Sequence, residues 1–351
     1  MAGPDYLVVG AGPAGAALAW SLARKGYEVL VAEASPKPGS KPCGRGIPDT
    51  GDLKVPLPGE CVVSSVRGAE LYVDNEHVFT IEGIRGSIVD RTCLVEALIA
   101  DGGADLVTRA YYKPAKNIVR AGARTIDAPP PKTVIAGGHP FYPGEKIDAV
   151  QYIVEGEWQD KLTILFDTRL IGYYWIFPST PGTVEVGVGG YEPAPKLFER
   201  LDKFVSSHLL AQPLRNKRVL RREGARIAVG GVMRSLLSKH PIHIGEAAGF
   251  VYPLTGEGIR PSIMSAVQLA ERLASGDSPA GITRKDPARA IGLQRRILAR
   301  VKRMRPEERA ELLKSVPEDV HIKIALGKGT LLDLLKVLAR KPWLAAKLGL
   351  G

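Results

Sequence analysis

Three features predict an α/β protein: a four-residue apolar run at the N-terminus, a G-x-G-x-x-G turn directly after it, and an alanine-rich helical stretch after that. Further along, runs of alternating apolar residues broken by Gly and Pro add strands of a different kind. The expected architecture is a discontinuous Rossmann-type dinucleotide-binding domain, a second, mainly antiparallel β domain and a helical C-terminal tail. Hydrophobic residues make up 45% and charged residues 24% of the 351, which is a globular balance and excludes disorder. A chain of this length buries a large core without staples. Cys43, Cys61 and Cys93 are too few and too scattered for a disulfide framework or a four-ligand zinc site, and no metal site is expected. Cys61 and Cys93 read as core residues. No apolar run reaches the ~18 residues of a membrane span, and a strand starting near Asp5 leaves no signal peptide, so a cytoplasmic location is expected.

The first strand is Tyr6 to Val9, and Gly10-Ala11-Gly12-Pro13-Ala14-Gly15 follows it. Gly10 permits the tight turn, Gly12 lets backbone approach a pyrophosphate, and Gly15 lets helix and strand pack closely. Pro13 and Ala14 open a helix whose free N–H groups and positive dipole end face the phosphates. Ala16, Leu18, Ala19, Leu22 and Ala23 supply its packing face, and Gly26 caps its end. Val29 to Ala32 is the second strand. Glu33, at its end beside Ala34, stands where an acid accepts hydrogen bonds from ribose hydroxyls.

The next helix is marked by Asp90-Arg91-x-x-Leu94-x-x-x-Leu98. Strands are expected at Asp105 to Tyr111 and at Thr133 to Ala136, the latter ending in Gly137-Gly138. His243 to Gly249 reads as a strand turning into a helix, and the glycine-rich Pro253 to Ile259 precedes a helix over 262–274. In Gly172-Tyr173-Tyr174-Trp175-Ile176-Phe177-Pro178, the alternation puts Tyr173, Trp175 and Phe177 on one face of a strand. Such a face either walls a channel or packs in the core of the second domain. Cys43 sits in a Pro- and Gly-rich loop, Pro36 to Pro48, either as a small buried side chain or as a thiol near the cofactor.

The chain resembles the FAD-dependent geranylgeranyl reductases, of the archaeal digeranylgeranylglycerophospholipid reductase type, within the larger group of aromatic hydroxylases and flavin halogenases. The N-terminal fingerprint, Lys41-Pro42-Cys43-Gly44, the Tyr173 to Pro178 motif and Gly256-Glu257-Gly258-Ile259 carry the resemblance, over roughly 5–273. It implies FAD as cofactor, with an FAD-binding domain of 1–60, 85–140 and 218–278 and a substrate domain of 61–84 and 141–217. It implies that Gly245 and Glu246 hold the ribityl chain, with Glu246 standing where the family usually has Asp. Gly256, Gly258 and Ile259 approach the flavin pyrimidine, Arg91 the pyrophosphate or ribityl region, Ala110 the adenine, and Ala136 and Gly137 the cofactor edge. Cys43 and Gly44 meet the flavin ring, while Tyr173, Trp175, Phe177 and Pro178 line the substrate cavity. The implied activity is saturation of isoprenoid C=C bonds on a membrane lipid or a diphosphate. An isolated alkene needs a proton at one carbon and a hydride at the other, and Cys43, Tyr173 and ordered water are the open proton donors. Ferredoxin or NADPH is the implied electron donor, with no second G-x-G-x-x-G for NADPH in the chain.

The net charge of +11 is concentrated at the C-terminus: residues 281–351 hold 17 basic and 7 acidic side chains. The tail at 279–351 therefore suits an anionic surface or is a solvated helical face. Leu331 to Leu348 interleaves apolar and basic residues with Trp343, which suits peripheral contact with an anionic membrane, or else packs on the cofactor domain. No nucleic-acid motif accompanies the charge, so no nucleic-acid partner is expected. Three Asn and five Gln in the whole chain suggest a thermophilic source. The rival functions are a monooxygenase or halogenase of the same fold, or a non-catalytic flavin-bearing binding protein.

Overall fold

The computed structural model describes residues 3–340. Its first layer is a five-stranded parallel sheet in the order Ile242–His243, Thr133–Ile135, Tyr6–Val9, Val29–Ala32, Asp105–Val107. These strands are short and almost wholly apolar because helices or loops cover both faces. Helix Pro13–Ala23 starts with Pro at its first position, where a missing N–H costs nothing. It ends at Ala23, and Gly26 lies in the turn beyond with φ +90°. Ala16, Ala17 and Ala19 are fully buried, and the helix packs against helices Arg91–Gly102 and Ile259–Ala274. Asp90 caps the first of these by accepting from the Thr92 and Cys93 amides at 2.9 and 3.1 Å.

The second layer is an eight-stranded, mainly antiparallel sheet. Its order is Val219–Ala228, Lys146–Glu155, Thr183–Gly190, Gly172–Pro178, Leu162–Phe166, Val62–Val73, Glu76–Val89, Gly46–Pro48. Leu162–Phe166 and Val62–Val73 run parallel. Val219–Ala228, which the sequence groups with the cofactor segment from 218, is an edge strand of this sheet. One face is closed by helix Ala194–Ser207, with Tyr174 stacked on Phe204 at 4.6 Å. Tyr173, Trp175 and Phe177 look the other way.

The single strand expected from Asp105 to Tyr111 is two. Arg109 has φ +52° and breaks it, and Ala110–Lys113 begins a separate three-stranded antiparallel sheet with Ile118–Ala121 and Arg124–Asp127. Cys61 and Cys93 correct a second expectation. Both lie in or against the core, but they are bonded to each other across 32 residues of chain. The Asp90 amide donates to the Cys61 carbonyl at 2.8 Å, which sets the start of helix Arg91–Gly102 beside the start of strand Val62–Val73. Cys43 remains a free thiol.

The tail folds as helices Ala288–Val301, Pro306–Ser315, Glu318–Ala325 and Leu331–Arg340. They lie over the aromatic face of the large sheet. The expected contact of Trp343 and its neighbours falls outside the described residues. Among the described residues, no helix is long and apolar enough to cross a membrane.

Candidate functional site

The carboxyl ends of the parallel strands open onto a cavity of about 1020 Å³, which continues across the aromatic face of the large sheet. Gly10, Gly12, Pro13 and Ala14 form its floor at the first helix. A Cβ at Gly10 would meet the Ala136 carbonyl at 2.8 Å, and one at Gly15 the Gly10 carbonyl at 1.9 Å, so both positions exclude a side chain. A Cβ at Gly12 would meet no protein atom within 4 Å, because the space above it belongs to the cavity. This fits a backbone cradle for a pyrophosphate.

Glu33 borders the cavity and accepts from the amides of Ala11 and Ser35, both at 2.7 Å. The carboxylate is thus fixed in place, with lone pairs left for a ribose. Arg91 also borders the cavity, and its Nε donates to the Gly39 carbonyl at 2.8 Å. It braces the 36–40 loop over the floor. Ala136, Gly137, Gly256, Gly258 and Ile259 complete this part of the wall. Four predicted cofactor positions do not border the cavity. Gly15 packs helix on strand, and Ala34 flanks Glu33. Gly245 has φ +61° and abuts Ala14. Ala110 is buried with Leu7 and Leu30 between two sheets, its amide bonded to the Glu33 carbonyl at 2.8 Å.

Glu246 is on the wall and is already held. Lys41 Nζ donates to both its oxygens at 2.7 and 2.8 Å, and the Ala228 amide donates at 3.1 Å. Lys41 is a partner that sequence reasoning missed, although it opens the Lys41-Pro42-Cys43-Gly44 motif. Next to it, Arg45 ion-pairs with the fully buried Glu185 at 2.9 Å and donates to Ser179. Burial pushes the Glu185 carboxyl above the ordinary range, and Arg45 opposes the shift. Glu257 borders the cavity too. Burial raises its carboxyl as well, against the pull of Arg260, which grips it at 3.0 Å and reaches Asp52 at 3.2 Å.

The aromatic wall rests on glycine. Across the antiparallel pairing Gly189 faces Tyr173, Gly187 faces Trp175 and Glu185 faces Phe177. A Cβ at Gly187 would lie 2.2 Å from the Trp175 ring, so the indole lies flat on bare backbone. Phe177 packs beside Gly44, with 3.2 Å to the position a Cβ would take there. Trp175 Nε1 is buried and has no hydrogen-bond partner among the described residues. Tyr173 donates its hydroxyl proton to the Thr255 carbonyl, and burial raises its phenol well above the ordinary range. Cys43 lies close to Tyr173, and its Sγ accepts from the Arg45 amide at 3.4 Å. The structure therefore brings Cys43, Gly44, Tyr173, Trp175 and Phe177 together. Pro178 follows Tyr174 and Ile176 on the opposite face of the strand and is buried there.

The tail is the part of the site that sequence reasoning missed most. Leu293, Ile297, Leu312, Leu313, Ile322 and Val337 roof the apolar half of the cavity. Their helical spacing was visible, but nothing local said which surface they cover.

Fold and site together define an oxidoreductase built on a Rossmann-type dinucleotide-binding unit. A model of the NAD(P)-binding Rossmann-like domain matches residues 8–51. The chain is similar to a digeranylgeranylglycerophospholipid reductase of Methanococcus vannielii, with 26% identity over 73% of each chain. It is similar to digeranylgeranylglycerophospholipid reductase 2 of Methanopyrus kandleri, with 25% identity over 96% of each. The fold is shared with a geranylgeranyl bacteriochlorophyll reductase-like protein of Thermoplasma acidophilum, at TM-score 0.76 and 21% identity over 99% of this chain and 98% of that one. It is also shared with an FAD-bound halogenase, at TM-score 0.65 and 12% identity over 99% and 85%.

Proposed function

We propose that the chain is an FAD-dependent reductase that saturates the isoprenoid C=C bonds of geranylgeranyl chains carried on a membrane lipid or a diphosphate. The observation that carries this reading is the shape of the cavity: a dinucleotide cradle opening directly into an apolar trough walled by aromatic rings and roofed by aliphatic side chains. Such a trough suits a long hydrocarbon and offers little to a small polar substrate. The residues fit FAD: the bare backbone at Gly12, the fixed carboxylate of Glu33 and the clamped Glu246 match pyrophosphate, ribose and ribityl in turn. When bound and reduced, the flavin supplies a hydride.

The protein's own share is binding, positioning and proton supply. The trough excludes water and aligns the chain past the Cys43–Gly44 loop. Trp175 and Phe177 present ring faces that favour positive charge developing at an alkene carbon. Tyr173 keeps its proton at Oη through the working pH range, and the Cys43 thiol is the second donor in reach of the same space. Leu331 and Leu332 stand exposed at 56% and 69% on the last described helix, with Leu331 also on the cavity wall. This apolar edge is where a lipid chain would enter from a membrane surface.

The test is anaerobic. Flavin-loaded protein is reduced with dithionite and given a geranylgeranylated phospholipid and geranylgeranyl diphosphate. Mass gains of two hydrogens per double bond are expected. No gain on either substrate, with the flavin intact and reduced, would overturn the reading in favour of oxygen-dependent chemistry. Replacing dithionite by ferredoxin or NADPH then identifies the donor.

A further inference from the structure

Helix Ala288–Val301 runs from the cofactor end of the cavity outward. Its inner part is pinned by the buried Gln294, which accepts from the Leu254 amide at 3.1 Å and donates to the Ile324 carbonyl at 2.7 Å. Its outer end is fixed where Lys302 pairs with Glu145 and lies 4.3 Å from the Tyr191 ring centre. Between these anchors, Arg296 and Arg300 share one helical face four residues apart, Arg303 follows in the turn, and Arg309 projects from the next helix. All four border the cavity that holds the aromatic trough. With a rise of about 1.5 Å per residue, Arg300 lies roughly 9 Å beyond Gln294.

Of the neighbouring cations, Lys302 has Glu145 and Arg305 has Glu308, while Arg295 lies against Gly231. Among the described residues, Arg296, Arg300, Arg303 and Arg309 have no carboxylate within ion-pair distance. Arg296 and Arg309 bond through Nε to backbone carbonyls, at 3.4 and 3.1 Å. Among the described residues, the buried Arg309 Nη1 has no hydrogen-bond partner. Asp167, an acid on the cavity wall, is taken by Arg200 at 3.5 Å. Four guanidiniums on the cavity wall, without an ion pair among the described residues and one of them with a buried, unsatisfied N–H group, form the donor set of a phosphate site.

We infer that Arg296, Arg300, Arg303 and Arg309 bind the phosphate or diphosphate group of an isoprenoid amphiphile and fix how far its chain reaches toward the cofactor. The isoprenoid half of this statement rests on the function proposed above; the anion half does not. The test is equilibrium binding to full-length, flavin-loaded protein. Geranylgeranyl diphosphate, a digeranylgeranylglyceryl phosphate and uncharged geranylgeraniol are the probes, with Arg300→Gln, Arg309→Gln and the double variant. Lys217→Gln, on an exposed loop, controls for net charge. The parent should prefer a phosphorylated probe over the alcohol. Each arginine variant should cut that preference about tenfold, as expected for one charge-assisted contact to an anion, and K217Q should leave it in place. The probe that carries the arginine-dependent preference identifies the phosphate source, lipid or free diphosphate. A parent without preference, or variants that keep it in full, overturns the site. If a Gln variant loses its flavin or its fold, Arg300→Lys and Arg309→Lys replace it and must weaken the preference less than tenfold, since they keep the charge and lose the fork. Arginine-dependent binding without any double-bond reduction leaves the anion site standing and sinks the reductase. Reduction at parental rate and affinity in the double variant does the reverse.

Discussion

Gly187→Ala puts one methyl group under the Trp175 indole. The added Cβ would lie 2.2, 2.5 and 2.7 Å from three atoms of the ring. Carbon atoms in contact rest at about 3.5 to 4.0 Å, so the ring must rise by roughly 1.5 Å. The strand blocks movement in the other direction, and the ring therefore enters the trough. Overpacking of this kind costs about 1 to 3 kcal/mol, which for a chain of this length lowers Tm by roughly 1 to 4 °C. The same displacement narrows the trough, so KM for an isoprenoid substrate should rise more than kcat falls. The decisive assay is a double-mutant cycle with Trp175→Phe, read by thermal melting and by isoprenoid affinity. The smaller ring leaves room for the methyl group, so the pair should recover at least about 1 kcal/mol relative to the sum of the single changes. Strict additivity, or a G187A protein with parental Tm and parental affinity, would refute the seating of the indole on bare backbone.

Lys41→Met leaves Glu246 with the Ala228 amide as its remaining donor. Lys41 is partly exposed, so the loss should be modest, about 1 to 2 kcal/mol, read as a lower melting temperature and faster flavin loss on gel filtration. Cys93→Ala opens a loop of 32 residues, and chain entropy sets the effect near 3 to 4 kcal/mol. A thiol reductant should destabilise the parent by a similar amount and leave C93A unchanged. Tyr173→Phe removes the hydroxyl bonded to Thr255. If Tyr173 delivers the proton, double-bond reduction falls about 100-fold or more while substrate affinity holds; a loss of a few fold would assign the step to Cys43 or water. His321 is packed against Phe79 and bonded to the Leu313 carbonyl at 2.8 Å, and burial holds its imidazole below the ordinary range. The unfolded chain then takes up a proton that the folded one refuses. The stability this group contributes is full above about pH 6.5 and is lost as pH falls through the folded value. His321→Gln should make the decline in Tm from pH 7 to 5 shallower; an unchanged slope refutes the assignment.

The parts of the site that could be read directly are those where local geometry decides. Gly10, Gly12 and Gly15 are dictated by backbone approach, Glu33 by its distance along the unit, and Tyr173, Trp175 and Phe177 by the two-residue period of a strand. The parts that could not be read depend on long-range encounters. Lys41 meets Glu246 across 205 residues, and Arg45 meets Glu185 across 140. Cys61 finds Cys93 because a helix start and a strand start are pinned together by the Asp90 amide. Pro178 was on the right strand and the wrong face, a one-residue error that the period makes total. The tail posed the hardest case. Its amphipathic period was plain, but the same period serves a membrane, a solvent face or a cavity roof, and only the exposed sheet face elsewhere in the chain selects among them.

That roof also sets an order of events during synthesis. The trough is complete only when Val337 is in place, whereas its floor and aromatic wall are encoded before residue 260. Translation at about 5 to 20 residues per second leaves the uncovered wall facing water, chaperones and nascent-chain neighbours for several seconds. The cradle at Gly10 to Ala14 is encoded before the roof, so its ligand can bind while the aromatic wall is still uncovered.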